Sequence, residues 1–105
     1  MIINTETIRA LLVSNDRAVE RAIIVIFNRQ TSDEQQGGHT SHHNGRGFSA
    51  FDAGSGTYYA RWIQRGNHLT GKHLVNARKM SLRYVRQLVE EAELKAASSQ
   101  STQAA

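Results

Sequence analysis

The residues best suited to bind a ligand are the cationic side chains of the C-terminal half. Between Ala53 and Val89 the sequence has seven Lys or Arg residues and no Asp or Glu, whereas acids occur on both sides of this window. Binding to nucleic-acid phosphates requires cations that no neighbouring carboxylate neutralises. We therefore predict a nucleic-acid-binding surface without catalysis, formed by Arg61, Arg65, Lys72, Lys79, Arg83 and Arg86.

The spacing of these cations suits a helix. At about 100° per residue, Lys72, Lys79, Arg83 and Arg86 share one side of a helix, along a stripe of about 21 Å. Contacts with four to six phosphates would give a log–log salt slope of about −4 to −5 on duplex DNA. Phosphate contacts do not read bases, so we expect weak sequence preference, with DNA or RNA and one strand or two left open. A solvated basic face explains the same pattern and stays an alternative.

A second chemically active group lies in residues 39–56, "HTSHHNGRGFSAFDAGSG". The imidazoles of His39, His42 and His43 are potential zinc or nickel ligands, and a fourth ligand would be Asp52 or the distant His68 or His73. Adjacent histidines point apart in an extended backbone, and no HExxH, HxH or CxxC motif is present. The favoured interpretation is a polar loop with a glycine-rich turn at "NGRG", and metal binding is an alternative.

Other chemistries lack the residues they need. The absence of cysteine excludes disulfides, thiolate zinc sites and thiol nucleophiles. There is no GxSxG motif and no pair of carboxylates within one predicted site, so we expect neither an enzyme nor a cofactor. An aromatic group can stack on bases, but its helical spacing favours packing in the core: Tyr58, Tyr59, Trp62 and Tyr84.

The elements that position these residues are predicted to be helical, since the chain has no proline and its apolar residues recur at helical spacing. We predict an all-α fold of about four helices over residues 5–13, 17–30, 57–65 and 70–94. The last is a long amphipathic helix that forms the spine of the fold. The β-branched run at 23–26 also fits a buried strand, but its charged flanks keep a helical period.

Length and composition indicate one domain over residues 1–96, with a disordered tail at 97–105. A long polar loop is expected at 31–47, with Phe48 and Phe51 anchoring its far end to the core. The sequence has no apolar run of about 18 residues and no secretion signal, so a soluble cytoplasmic protein without membrane contact is expected.

Three segments carry a resemblance to known proteins: "NDRAVERAIIVIFNRQTSDEQ", "HHNGRGFSAFDA" and "LTGKHLVNARKMSLRYVRQL". Together they resemble a group of small accessory proteins encoded by bacteriophages and mobile elements. In that group an NGxGF…DA segment precedes a helix, an LTxK turn and a basic helix ending near YxxQL. The resemblance covers residues 15–88 and implies no catalytic residue. It implies an accessory role, such as that of anti-CRISPR inhibitors of host defence.

Two classes of partner therefore follow from the sequence. The first is nucleic acid, bound by the basic helices. The second is a host-defence nucleoprotein complex, inhibited by docking of the loop 31–47 or of the same basic face. A wide apolar face on the second helix is also compatible with a homodimer.

Overall fold

The computed structural model describes residues 3–30 and 47–104, with side chains described as far as residue 97. Over this part of the chain the fold is all-α, as predicted, and contains no strand. Five helices follow one another: α1 (Thr5–Ser14), α2 (Asp16–Asn28), α3 (Ala53–Gln64), α4 (Gly71–Leu82) and α5 (Val85–Ala104). The bounds of α5 enter the segment 97–105, where the disordered tail stays a prediction.

Asparagine side chains begin both N-terminal helices. The Asn4 side chain accepts a hydrogen bond from the Thr7 backbone N–H at 2.8 Å, and the Thr7 hydroxyl accepts one from the Asn4 backbone at 3.1 Å. Asn15 ends α1 and begins α2, accepting from the backbone N–H groups of Arg17 and Ala18. These bonds satisfy amide groups that have no partner within a helix, and they fix where α1 and α2 begin.

Helix α2 lies at the centre of the core and contacts each of the other four helices. Val19, Ile23 and Ile26 are completely buried, and Ile24 and Val25 are half-buried. The β-branched run is therefore helical, and it is apolar on a wide face because α2 packs on several neighbours. Helices α3 and α4 both pack on α2 and on each other, and their outer faces lie in solvent.

The single C-terminal spine predicted over 70–94 is wrong, because the chain turns between α4 and α5. The N–H of Arg83 bonds to the carbonyl of Met80, and the N–H of Tyr84 bonds to that of Ser81. These tight bonds over three residues replace the α-helical pattern at the join. The sequence has no glycine or proline at this join that would predict the turn. The side chains of Arg83 and Tyr84 are instead held by Asp52, which is distant in sequence.

Helix α3 begins four residues before the predicted start, and a glycine explains the difference. Phe48 is 1% exposed, and a Cβ on Gly56 would lie 2.5 Å from its ring. The glycine therefore belongs to the helix and allows close packing on Phe48. Phe51 was also expected to anchor this segment, but it is 89% exposed. Phe48 alone provides the aromatic anchor.

The turn between α3 and α4 follows the sequence closely. Gly66 has a φ of +90°, the left-handed conformation that commonly ends a helix. Leu69 is buried against the core, and Thr70 precedes α4 as its N-cap. The turn fixes the relative placement of two helices that carry most of the predicted phosphate-binding residues.

Candidate nucleic-acid interface

A buried carboxylate occupies the join between α4 and α5. Asp52 is 3% exposed and accepts two hydrogen bonds from Arg83, at 3.1 Å from Nε and 2.7 Å from a terminal nitrogen. The Tyr84 hydroxyl donates to the same carboxylate at 2.5 Å. We call these residues, with Ser49, the Asp52 network. Arg83 keeps half of its side chain exposed, but its charge is compensated.

The electrostatics of the Asp52 network agree with this pairing. The hydrogen bond to the Asp52 carboxylate raises the pKa of Arg83, against the opposing effect of burial. Burial raises the pKa of the Tyr84 hydroxyl, and the bond it donates to Asp52 raises it further. Ser49 completes the arrangement by donating its backbone N–H to the tyrosine oxygen at 3.0 Å.

A second set of bonds fastens the neighbouring segment to α5. The side chain of Gln87 accepts from the N–H of Gly47 at 2.8 Å and donates to its carbonyl at 3.1 Å. The N–H of Phe48 donates to the side chain of Gln30 at 3.1 Å. The "GF…D" and "YxxQ" positions of the sequence are thus mutual structural partners.

Three other acidic residues form ion pairs with arginines that do not belong to the predicted phosphate-binding set. Arg78 pairs with Asp16 and donates to the carbonyl of Leu12 at 2.8 Å. Arg29 pairs with Glu90 at 3.1 Å and Glu91 at 3.2 Å. These contacts occupy carboxylates at the α1–α2 junction and on α5.

Glu20 is the buried acid nearest in the fold to the α3–α4 turn. Its carboxylate accepts from the N–H of Leu69 at 2.7 Å, lies 3.1 Å from His68 Nδ1 and pairs with Arg17. Burial raises the pKa of Glu20, but the Leu69 and His68 hydrogen bonds and the Arg17 charge outweigh it, so the pKa lies below its usual value. The carboxylate fixes the turn and neutralises none of the predicted phosphate-binding cations.

The remaining cations of the predicted set lie at the exposed surface. Arg65, Lys72, Lys79 and Arg86 are exposed, and no carboxylate of the described residues lies within 4 Å of their charged groups. Lys72 and Lys79 are two turns apart on the side of α4 opposite its buried residues, separated by about 10 Å along the axis. We call the exposed members of the predicted set, apart from Arg83 with its Asp52 partner, the basic surface: Arg61, Arg65, Lys72, Lys79 and Arg86.

One cation near this surface was missed by sequence reasoning. A polar cavity of about 520 Å³ at the α4–α5 join brings Arg9 of α1 together with Arg83 and Arg86. Arg9 lies 74 residues before Arg83, in a segment of balanced charge, so only the fold reveals this grouping.

The outer side of α3 carries two exposed aromatic rings, so the expectation of core packing holds for Tyr59 and Tyr84 and is wrong for Tyr58 and Trp62. Tyr58 is 56% exposed and Trp62 is 38% exposed, whereas Tyr59 and Tyr84 are buried. The indole N–H of Trp62 donates to the carbonyl of His68 at 3.1 Å. Two tyrosines at adjacent positions diverge by about 100°, so only one of them reaches the core.

The alternative metal site lies outside the described residues, since His39, His42 and His43 fall in the segment 31–46. Within the parts of the chain that are described, no group of three potential His, Cys, Asp or Glu ligands comes together. None of the described helices has the length and apolar character needed to cross a membrane.

Comparisons with protein families, with characterised proteins and with solved structures returned no match to this chain.

Proposed function

We propose that this protein binds nucleic acid through the basic surface, without catalysing a reaction. One observation carries the proposal: the described acids that form ion pairs are occupied elsewhere, while Arg65, Lys72, Lys79 and Arg86 have no carboxylate partner among the described residues. Exposed cations that keep their charge attract a phosphate backbone and release its counterions.

The basic surface is assigned phosphate contacts, which position a nucleic acid without reading its sequence. Arg83 has a smaller part, because Asp52 compensates its charge and fixes two of its donor nitrogens. With four phosphates engaged, the log–log salt slope would be about −3 on a single strand and about −4 on duplex DNA.

The test is a fluorescence anisotropy titration of labelled 20-nucleotide single strands and 20-base-pair duplexes at 50, 100 and 200 mM salt. We expect binding that weakens steeply with salt, and a smaller slope for Lys72→Gln. Lys95→Gln on α5 is the matched control, since it removes the same charge from outside the basic surface. Salt-insensitive binding, or no binding to either form at the lowest salt, contradicts the proposal.

A second candidate function is inhibition of a host-defence nucleoprotein complex by docking on one of its proteins. An apolar groove of about 580 Å³ between α1, α2 and α5 favours it, because exposed apolar surface of this kind is typical of protein contacts. Its walls include Leu11, Val25 and Leu94.

A pull-down from host lysate with and without nuclease separates the candidates: a partner retained after nuclease, and lost in Leu94→Glu, supports docking. Light scattering of the purified protein tests whether the groove forms a homodimer instead.

A further inference from the structure

The outer side of α3 combines aromatic rings and positive charge in one line. Tyr58, Trp62 and Arg65 occupy positions i, i+4 and i+7, and all three are exposed. The opposite side of the helix is formed by the buried Gly56 and Ala60. We call the exposed line the aromatic face. Helical spacing puts the two large aromatic rings on one side of α3, and the packing of the opposite side on the core leaves them partly in solvent.

Both rings are held in place before any partner binds. Trp62 is fixed through its indole N–H, which donates to the His68 carbonyl across the α3–α4 turn. Tyr58 has its ring centroid 5.9 Å from that of Tyr59, edge-on, and 6.2 Å from that of His73 on α4. A ring that is already ordered loses little conformational freedom when a flat partner stacks on it.

The charges beside the rings indicate what that flat partner is. Arg65 follows Trp62 by one turn, and Lys72 is the chain neighbour of His73, whose ring contacts Tyr58. Flat aromatic surfaces between unneutralised cations suit a chain of bases joined by phosphates. In a duplex the base faces are stacked on one another and closed to side chains, so only an unpaired strand can use the rings.

We propose that the aromatic face is a stacking platform for the bases of a single-stranded nucleic acid, with Arg65 and Lys72 binding the flanking phosphates. The inference rests on the proposed function and adds a preference for single strands over duplexes. Tyr58 and Trp62 lie about 6 Å apart along the helix axis, so that each ring can take one base. Stacking tolerates any base, and the platform therefore selects strand form without selecting sequence.

The chain supplies its own probe, because Trp62 is its only tryptophan. The experiment titrates the full protein with an unlabelled 20-nucleotide oligothymidylate and with a 20-base-pair duplex. It follows Trp62 fluorescence, with anisotropy of labelled strands in parallel. We expect saturable quenching by the single strand at the concentrations where anisotropy rises, and little quenching by the duplex.

Variants then separate stacking from charge. Tyr58→Ala should weaken single-strand binding roughly tenfold, with the salt slope and the duplex affinity unchanged. Phe51→Ala is the control, because it removes another exposed ring that is not part of the aromatic face as defined. Circular dichroism verifies that each variant is folded, and Trp62→Leu gives a second loss of stacking if Tyr58→Ala does not fold.

The outcomes distinguish the two proposals. Anisotropy without quenching, or single-strand affinity unchanged in both Tyr58→Ala and Trp62→Leu, overturns the stacking platform and leaves phosphate binding standing. Duplex affinity equal to or above single-strand affinity also overturns it. Absence of binding to either strand form overturns the proposed function, and the platform with it.

Discussion

The Asp52 network and the aromatic face use the same residue types in opposite ways. In the network, Arg83 and Tyr84 are bound by a carboxylate that is 3% exposed. On the aromatic face, Arg65 and Trp62 face solvent, and Arg65 meets no acid of the described residues. An arginine beside an aromatic ring is therefore a structural support in one place and an accessible surface in the other. The difference lies in whether a distant acid reaches it.

That acid, Asp52, lies directly before the acid-free window of the sequence. The window without acids begins at Ala53, and the residue just before it, Asp52, pairs with Arg83 inside the window. A count of charges along the chain treats the two as separate regions. Folding brings a terminal nitrogen of Arg83 within 2.7 Å of the Asp52 carboxylate. One of the six predicted phosphate-binding residues thereby has a mainly structural contact.

The largest effect is expected from Asp52→Asn. The change removes the charge that compensates Arg83 and weakens the acceptor of the Tyr84 hydroxyl, so the protein should lose about 2–3 kcal/mol of unfolding free energy. The loss is smaller than for a fully buried pair because half of the Arg83 side chain is in solvent. Urea denaturation followed by circular dichroism measures it.

The control for this change is Asp16→Asn, which breaks the exposed pair with Arg78. Asp16 keeps 60% of its side chain in solvent, and exposed pairs contribute less than about 1 kcal/mol. Equal losses of unfolding free energy in Asp52→Asn and Asp16→Asn would show that the buried Asp52 network stabilises the fold no more than an exposed ion pair does.

A second change tests the packing beneath the same network. Gly56→Ala places a methyl group 2.5 Å from the Phe48 ring and should cost about 1–3 kcal/mol through overpacking. Gly54→Ala, at an exposed position in the same helix, should leave stability unchanged or raise it by up to about 1 kcal/mol, because alanine favours the helix. Denaturation midpoints of the two variants provide the measurement. If Gly56→Ala were as stable as the original, Phe48 would not be the anchor of this segment.

The comparison is tested most directly by replacing each of the two arginines, Arg65 and Arg83, with glutamine. Arg65→Gln should lower single-strand affinity about threefold to fivefold and reduce the salt slope by about 0.7, with unfolding free energy unchanged. Arg83→Gln should lower the unfolding free energy by about 1–2 kcal/mol and affect affinity less. Anisotropy and urea denaturation are measured on both variants. Loss of affinity in Arg83→Gln matching that in Arg65→Gln would place Arg83 in the basic surface after all.

Local signals predict a large part of this fold. Asn4, Asn15 and Gly66 act at helix ends in the manner that their residue types favour, and the apolar spacing of α2 identifies its buried side. Capping bonds join residues within three positions of each other, so a sequence contains all the information they need.

Tertiary partners explain what sequence reasoning missed. The turn at Arg83 and Tyr84 depends on Asp52, which lies 31 and 32 residues earlier. The exposure of Tyr58 and Trp62 follows from which side of α3 meets Phe48, and Arg9 reaches Arg86 only through the packing of α1. Helical spacing identifies the two sides of a helix, but it does not decide which side is covered when both carry aromatic residues.

The smallest expected effect concerns pH and the turn that supports the aromatic face. Because the pKa of Glu20 is lower in the folded protein than its usual value, the unfolded chain takes up this proton first as pH falls. The stabilisation from Glu20 is thus fully present above the unfolded pKa and is lost as pH falls through the folded one.

Urea midpoints between pH 6 and pH 3 should decline less steeply in Glu20→Gln, which keeps an acceptor for the Leu69 N–H but carries no charge. Glu6→Gln, an exposed change on α1, should leave the slope of the original protein. Parallel pH profiles in all three proteins would mean that the charge of Glu20 adds no stability to the turn.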